Sequence, residues 1–135
     1  NYYMNMVTTM TFSYFDCGMG YGIIDETERF YHGFVLGLIA QLSDDFYITS
    51  NRESGIGRYD IMMESKDREK DSYIIEFKVF DSRKDKSLEE CAARALEQIE
   101  CKEYDKALVA RQIEPDKIRK YGFAFEGKRV LIKGV

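Results

Sequence analysis

Glu76 and Lys78 stand two residues apart in the run Tyr73-Ile74-Ile75-Glu76-Phe77-Lys78-Val79, an acid and a base inside an otherwise apolar segment. Strand side chains alternate, so as a strand this run puts Glu76 and Lys78 on one face and Ile75, Phe77 and Val79 on the other. A strand so apolar is normally central, where charges require partners or a metal. Asp60 lies upstream in Gly57-Arg58-Tyr59-Asp60-Ile61. A hairpin between the two runs would bring Asp60 beside Glu76, although periodicity does not fix the register. Two neighbouring carboxylates repel unless a positive charge lies between them. Magnesium takes one or two carboxylates with waters and substrate oxygens, and the Phe77 carbonyl offers a further oxygen. Lys78 would orient a water and offset charge on a phosphate. The chemistry this suggests is metal-assisted phosphodiester hydrolysis. The competing reading is a structural Glu76–Lys78 ion pair on a solvated sheet face, with Asp60 as a turn residue.

The elements that must position these residues follow from periodicity and turn chemistry. Residues Asp25 to Leu42 carry Phe30, Phe34, Leu38 and Tyr31, Val35, Leu42 at helix-face spacings, with Asp25 or Thr27 available as a cap. Glu28, three residues after Asp25, fits a capping box. Strands are expected at Phe46–Thr49, Tyr59–Met63 and Ser72–Phe80, separated by turns at Asn51–Gly57 and Glu64–Asp71. A helix is expected from Leu88 to Tyr104, burying Ala92, Ala95, Leu96 and Ile99, and a short one from Lys106 to about Gln112, stopped near Pro115. Ile118–Phe125 and Arg129–Lys133 read as two last strands around Glu126-Gly127-Lys128. This order predicts an α/β sandwich with helices on a mixed sheet. Residues 1–24 read as an N-terminal extension or loop and 25–135 as the domain proper. The glycines of Gly18-Met19-Gly20-Tyr21-Gly22 lack the following Lys of a phosphate loop.

Composition narrows the classes. The chain has 135 residues, 44% hydrophobic and 14% aromatic, enough for one core. Three cysteines without a C-x-x-C pair and a single histidine, His32, argue against a disulfide framework or a Cys/His zinc site. Any metal would therefore be a hard cation on oxygen ligands. The longest apolar stretch, Gly33 to Ala40, is short of the ~20 residues that span a bilayer. No secretory leader is visible at the start, and residue 1 is Asn rather than Met. The expectation is a cytoplasmic domain, either processed or cut from a longer chain, with no membrane partner. The net charge of −4 counts against strong nonspecific binding to nucleic acid. From Lys117 to Val135, however, six basic residues face one acid, Glu126.

The residues also resemble a known family. Asp60 followed by Glu76-Phe77-Lys78 is similar to the signature of the PD-(D/E)XK nuclease superfamily, carried on a restriction-endonuclease-like core with a central mixed sheet flanked by helices. More closely, the chain resembles the nuclease-like domain at the C-terminal end of bacterial proteins with an AAA-ATPase-like N-terminal module. The matching stretches are Phe30–Phe34, Ser50–Asp60, Ile75–Lys78, Ala95–Ile99 with Lys102 and Tyr104, and Tyr121–Phe125. The resemblance implies an Mg²⁺- or Mn²⁺-dependent nuclease acting on nucleic acid, DNA before RNA, with Asp60, Glu76 and Phe77 as metal ligands and Lys78 as the residue that serves the water and the phosphate. It adds Gln98, from the helix after the motif strand, and Glu28, from the first helix, to the catalytic set. Arg94, Gln98 and Lys102 fall at helical i, i+4, i+8 spacing. Arg58, Arg94, Lys102, Lys128 and Arg129 are the expected phosphate contacts. The resemblance also implies an ATPase module in the full-length protein, and an oligomer is compatible with it. The alternative is a non-catalytic nuclease-fold module that binds nucleic acid or protein.

Overall fold

The structure is a computed structural model. It describes residues 33, 35–37, 39–40, 42–53, 58–127 and 129–135, with 51–53 and 58–60 by backbone alone. Among the described residues, five strands form one sheet in the order β1-β2-β3-β4-β5: Phe46–Glu53, Arg58–Ser65, Ser72–Val79, Ile118–Glu126 and Arg129–Gly134. The β1–β2, β2–β3 and β4–β5 pairs are antiparallel, and β3–β4 is parallel. The crossover between β3 and β4 contains α1, Leu88–Cys101, and α2, Asp105–Ala110. The result is the mixed sheet with packed helices that the element order predicts.

Alternation along the strands divides the core into two layers. Ile61, Met63, Ile75, Phe77, Phe123, Phe125 and Val130 bury one face, against Val35 and Ile39 of the helical residues within 33–40. Phe77 packs on two rings of the neighbouring strand, 5.4 Å from that of Phe123 and 6.0 Å from that of Phe125. On the other face, Met62, Ile74 and Ile118 pack with Leu96, Ile99 and Leu108. Leu88, Cys91 and Ala92 cover Ala124. Gly122 sets how closely α1 sits. A Cβ there would collide with the Ala92 carbonyl oxygen and lie 3.0 Å from the Ala95 Cβ.

Boundaries differ from the sequence reading where the backbone overrules side-chain type. β1 runs through Glu53 instead of ending at Thr49, because its ladder pairs Asn51 with Asp60 and Glu53 with Arg58. An edge ladder needs backbone partners more than apolar side chains. Glu64 and Ser65 likewise belong to β2 instead of the turn. α1 stops at Cys101 instead of Tyr104, since Glu103 takes a left-handed φ of 53°. Gln112, at φ 67°, closes off the segment after α2. Pro115 opens a 3₁₀ turn, Pro115–Lys117, as its fixed φ allows. Among the described residues, no helix is long and apolar enough to cross a membrane.

Candidate active site

The register of the β2–β3 hairpin pairs Asp60 directly with Glu76, followed by Ile61–Ile75, Met62–Ile74 and Met63–Tyr73. Directly paired residues share a sheet face, so both carboxylate positions fall on the α1 side. Beyond Glu76, β3 continues to Val79 paired with β4. The carboxylate pair therefore marks the last described β2–β3 rung. Opposite Glu76 and Lys78 on β4 are Gly122 and Ala124. These small residues, with Ala92 and Ala95 across from them, let α1 approach close enough for a glutamine to reach the strand.

That glutamine is Gln98. Its Nε2 donates to Glu76 Oε1 at 2.6 Å, and both residues are buried. Lys78 Nζ lies 3.9 Å from the same oxygen, with the Lys78 side chain 8% exposed and that of Glu76 fully buried. At this distance the pair interacts as charges and is beyond hydrogen-bond reach. A carboxylate so enclosed would be very costly without partners, and a lysine and an amide offset part of that cost.

The same face is braced at both ends. Asp85, in the loop between β3 and α1, accepts from Arg94 Nε at 2.9 Å and from Arg94 Nη2 at 2.8 Å, and its Oδ2 accepts from the Asp81 N–H. Burial alone would raise the Asp85 pKa, but the hydrogen bonds from Arg94 and the Asp81 N–H, with the Arg94 charge, hold it below the usual carboxylate range. Burial, with the Asp85 charge, pushes the Cys91 thiol up to about 12, so this cysteine is a packing group and no nucleophile. Toward the other end, Glu64 joins Arg68 at 3.3 Å and Arg111 at 2.8 Å, tying β2 to the C-cap of α2.

The Asp85–Arg94 clamp yields a pH prediction. A depressed carboxylate pKa adds stability that is complete above its unfolded value of about 3.9 and is lost as pH falls through the lower folded value. Asp85→Asn is expected to cost roughly 1.5–3 kcal/mol at neutral pH. It should also remove part of the wild type's loss of stability below about pH 4. Urea denaturation across pH checks this. An acid limb identical in the two proteins would show that Asp85 does not contribute to it.

The remaining residues singled out in the sequence are distributed as follows. Arg94 is engaged by Asp85, with its side chain 34% exposed. Lys102 caps α1 and places Nζ 5.7 Å from the Tyr104 ring centroid. Arg129 pairs with Glu126 at 3.1 Å on the surface. Arg58 opens β2, described by its backbone alone. Glu28, His32, Lys128 and Gly18–Gly22 lie outside the described residues. The sequence reading missed the Asp81–Asp85–Arg94 network. Its only signal was two acids flanking Arg83 and Lys84 just after the motif strand.

The oxygens that could hold a hard cation here are the Glu76 carboxylate, the carboxylate of Asp60 at the paired position, and the Phe77 backbone carbonyl. Among the described residues no three His, Cys, Asp or Glu groups gather to form a closed metal cage. Magnesium combines one or two carboxylates with solvent and substrate oxygens, which is the number of carboxylates this rung would supply.

A family model described as the PD-(D/E)XK nuclease superfamily matches residues 26–134. That span is more than half of the chain, so the chain belongs to the superfamily. No curated protein and no solved structure matches it.

Proposed function

We propose that this member of the PD-(D/E)XK nuclease superfamily hydrolyses phosphodiester bonds in nucleic acid, DNA in the first place, at Asp60, Glu76 and Lys78. The observation that carries the reading is the Asp60–Glu76 rung, with the Lys78 ammonium 3.9 Å from Glu76 Oε1. Asp60, Glu76 and the Phe77 carbonyl would hold Mg²⁺ or Mn²⁺. The ion supplies Lewis-acid polarisation of the scissile phosphate and neutralises the carboxylate pair.

The chain's own groups do the rest. Gln98 fixes Glu76 Oε1 through its amide, leaving the carboxylate one orientation. Lys78 presents a protonated Nζ, which hydrogen-bonds the attacking water and offsets negative charge growing on the phosphate oxygens. The water oxygen forms the new P–O bond as the bond to the leaving sugar oxygen breaks; one water proton passes to bulk solvent, and the leaving oxygen takes a proton from solvent. Glu28 completes the catalytic set in this proposal. Arg58, Lys102, Lys128 and Arg129 are proposed contacts to flanking phosphates, with the exposed part of Arg94. In a longer protein the domain would work beside an ATPase-like module. The net charge of −4 favours a second reading, a nuclease fold kept without catalysis to bind a protein partner.

Metal binding tests the proposal without depending on turnover. Mg²⁺ or Mn²⁺ at about a hundred times its Kd should stabilise the fold by about 2.7 kcal/mol, seen as a rise in Tm and as heat in a calorimetric titration. No heat and no shift at millimolar metal would overturn the active-site reading.

A further inference from the structure

The loop between β3 and α1 turns its acids inward and its bases outward. Asp81 and Asp85 are 7% and 4% exposed. Asp85 is held by Arg94, and Asp81 accepts from the Arg83 backbone and guanidinium. Backbone bonds from Lys84 N at 2.9 Å and Asp85 N at 2.8 Å to the Asp81 carbonyl wind the loop into a tight turn. Arg83, by contrast, is 76% exposed along its side chain, and Lys84 and Lys86 are exposed. Among the described residues, neither Lys84 nor Lys86 forms an ion pair. Once Glu89 and Glu90 are counted, residues 81–90 hold four acids against three bases, so the sequence alone does not look basic. Glu90, however, is drawn back onto the Lys86 N–H at 3.0 Å.

We propose that Lys84 and Lys86, with Arg83 beside them, form a pre-ordered contact for the DNA phosphate backbone flanking the cleaved bond. This rests on the hydrolytic reading of Asp60, Glu76 and Lys78. Lys84 is six residues beyond Lys78, at most roughly 20 Å along the chain, and the turn at Asp81 shortens that. With about 3.4 Å of rise per nucleotide on one strand, the loop reaches phosphates within about six nucleotides of the site. The Asp85–Arg94 clamp fastens the loop to α1 one turn before Gln98, so the cations and the carboxylates are held in one frame. The backbone is thus ordered before binding, and only the lysine side chains remain to be fixed.

The test measures binding of a fluorescein-labelled DNA duplex in EDTA, where cleavage is stopped, as a function of salt. Lys84→Ala/Lys86→Ala should flatten the slope of log affinity against log salt by roughly 1.8, about 0.9 for each phosphate that is no longer neutralised, with Tm unchanged. Lys66→Ala/Lys70→Ala, on the exposed β2–β3 turn at the opposite end of the strands, should leave the slope as it is. An unchanged slope in the Lys84/Lys86 variant, or an equal flattening in the Lys66/Lys70 variant, overturns this inference; if the wild type still cuts DNA, the hydrolytic reading stands. A wild type that neither binds nor cuts DNA overturns both.

Discussion

Lys78→Ala is expected to slow cleavage by about two to three orders of magnitude, the usual contribution of one electrostatic or acid–base group. The side chain is nearly buried, and its ammonium is 3.9 Å from Glu76 Oε1 on the same strand face. Removing it leaves the proposed ligands Asp60, Glu76 and the Phe77 carbonyl in the sequence. Metal affinity should therefore stay equal or rise, because a competing positive charge has gone. A structural ion pair predicts a different pattern. The variant would then lose stability from an uncompensated buried carboxylate, and metal would not restore it. Cleavage rate and calorimetric metal affinity, measured together, separate the two. A variant that cuts as fast as the wild type would remove Lys78 from the mechanism.

Asp60→Asn/Glu76→Gln should have the larger effect, lowering cleavage by more than about a thousandfold. Metal-based charge stabilisation is worth several kcal/mol, at about 1.4 kcal/mol for each factor of ten. Two stability effects oppose each other in the metal-free protein. The doubly neutral variant no longer brings two carboxylates together on one rung, but it leaves the nearly buried Lys78 ammonium without its counter-charge, so adding Lys78→Ala to it should recover stability. Gln98 keeps a hydrogen-bonding partner, since the amide introduced by Glu76→Gln still offers an oxygen. Added Mg²⁺ should leave the Tm unmoved. A metal-induced rise as large as the wild type's would place the ion elsewhere.

Much of this was legible because β3 is unusually explicit. Its apolar run marks a central strand, and the period of two puts Glu76 and Lys78 on one face whatever the neighbours do. The proximity of Asp60 depended on the register, which the alternation of Tyr59–Met63 cannot set by itself. The hairpin does set it, through Ile61–Ile75 and Met62–Ile74, each pair burying its own layer. The Gln98 contact was less legible, since it depends on how closely α1 sits. That is decided by Gly122 and Ala92, whose pairing crosses thirty residues of chain. Arg94 shows the limit of helical spacing. Placed with Gln98 and Lys102 by its i, i+4, i+8 position, it turns its guanidinium to Asp85, a residue in a loop with no periodicity to read. The polar end of β1 was hidden for a related reason, because Asn51 and Glu53 are held by backbone pairing.

The most direct measurement is cleavage of labelled DNA by wild type and by Asp60→Asn/Glu76→Gln, purified in parallel and assayed in Mg²⁺ and in EDTA. The account predicts product from the wild type in Mg²⁺ alone and none above background in the other three conditions. A wild type inert in Mg²⁺ and Mn²⁺, or a double variant that cuts as fast as the wild type, would contradict it.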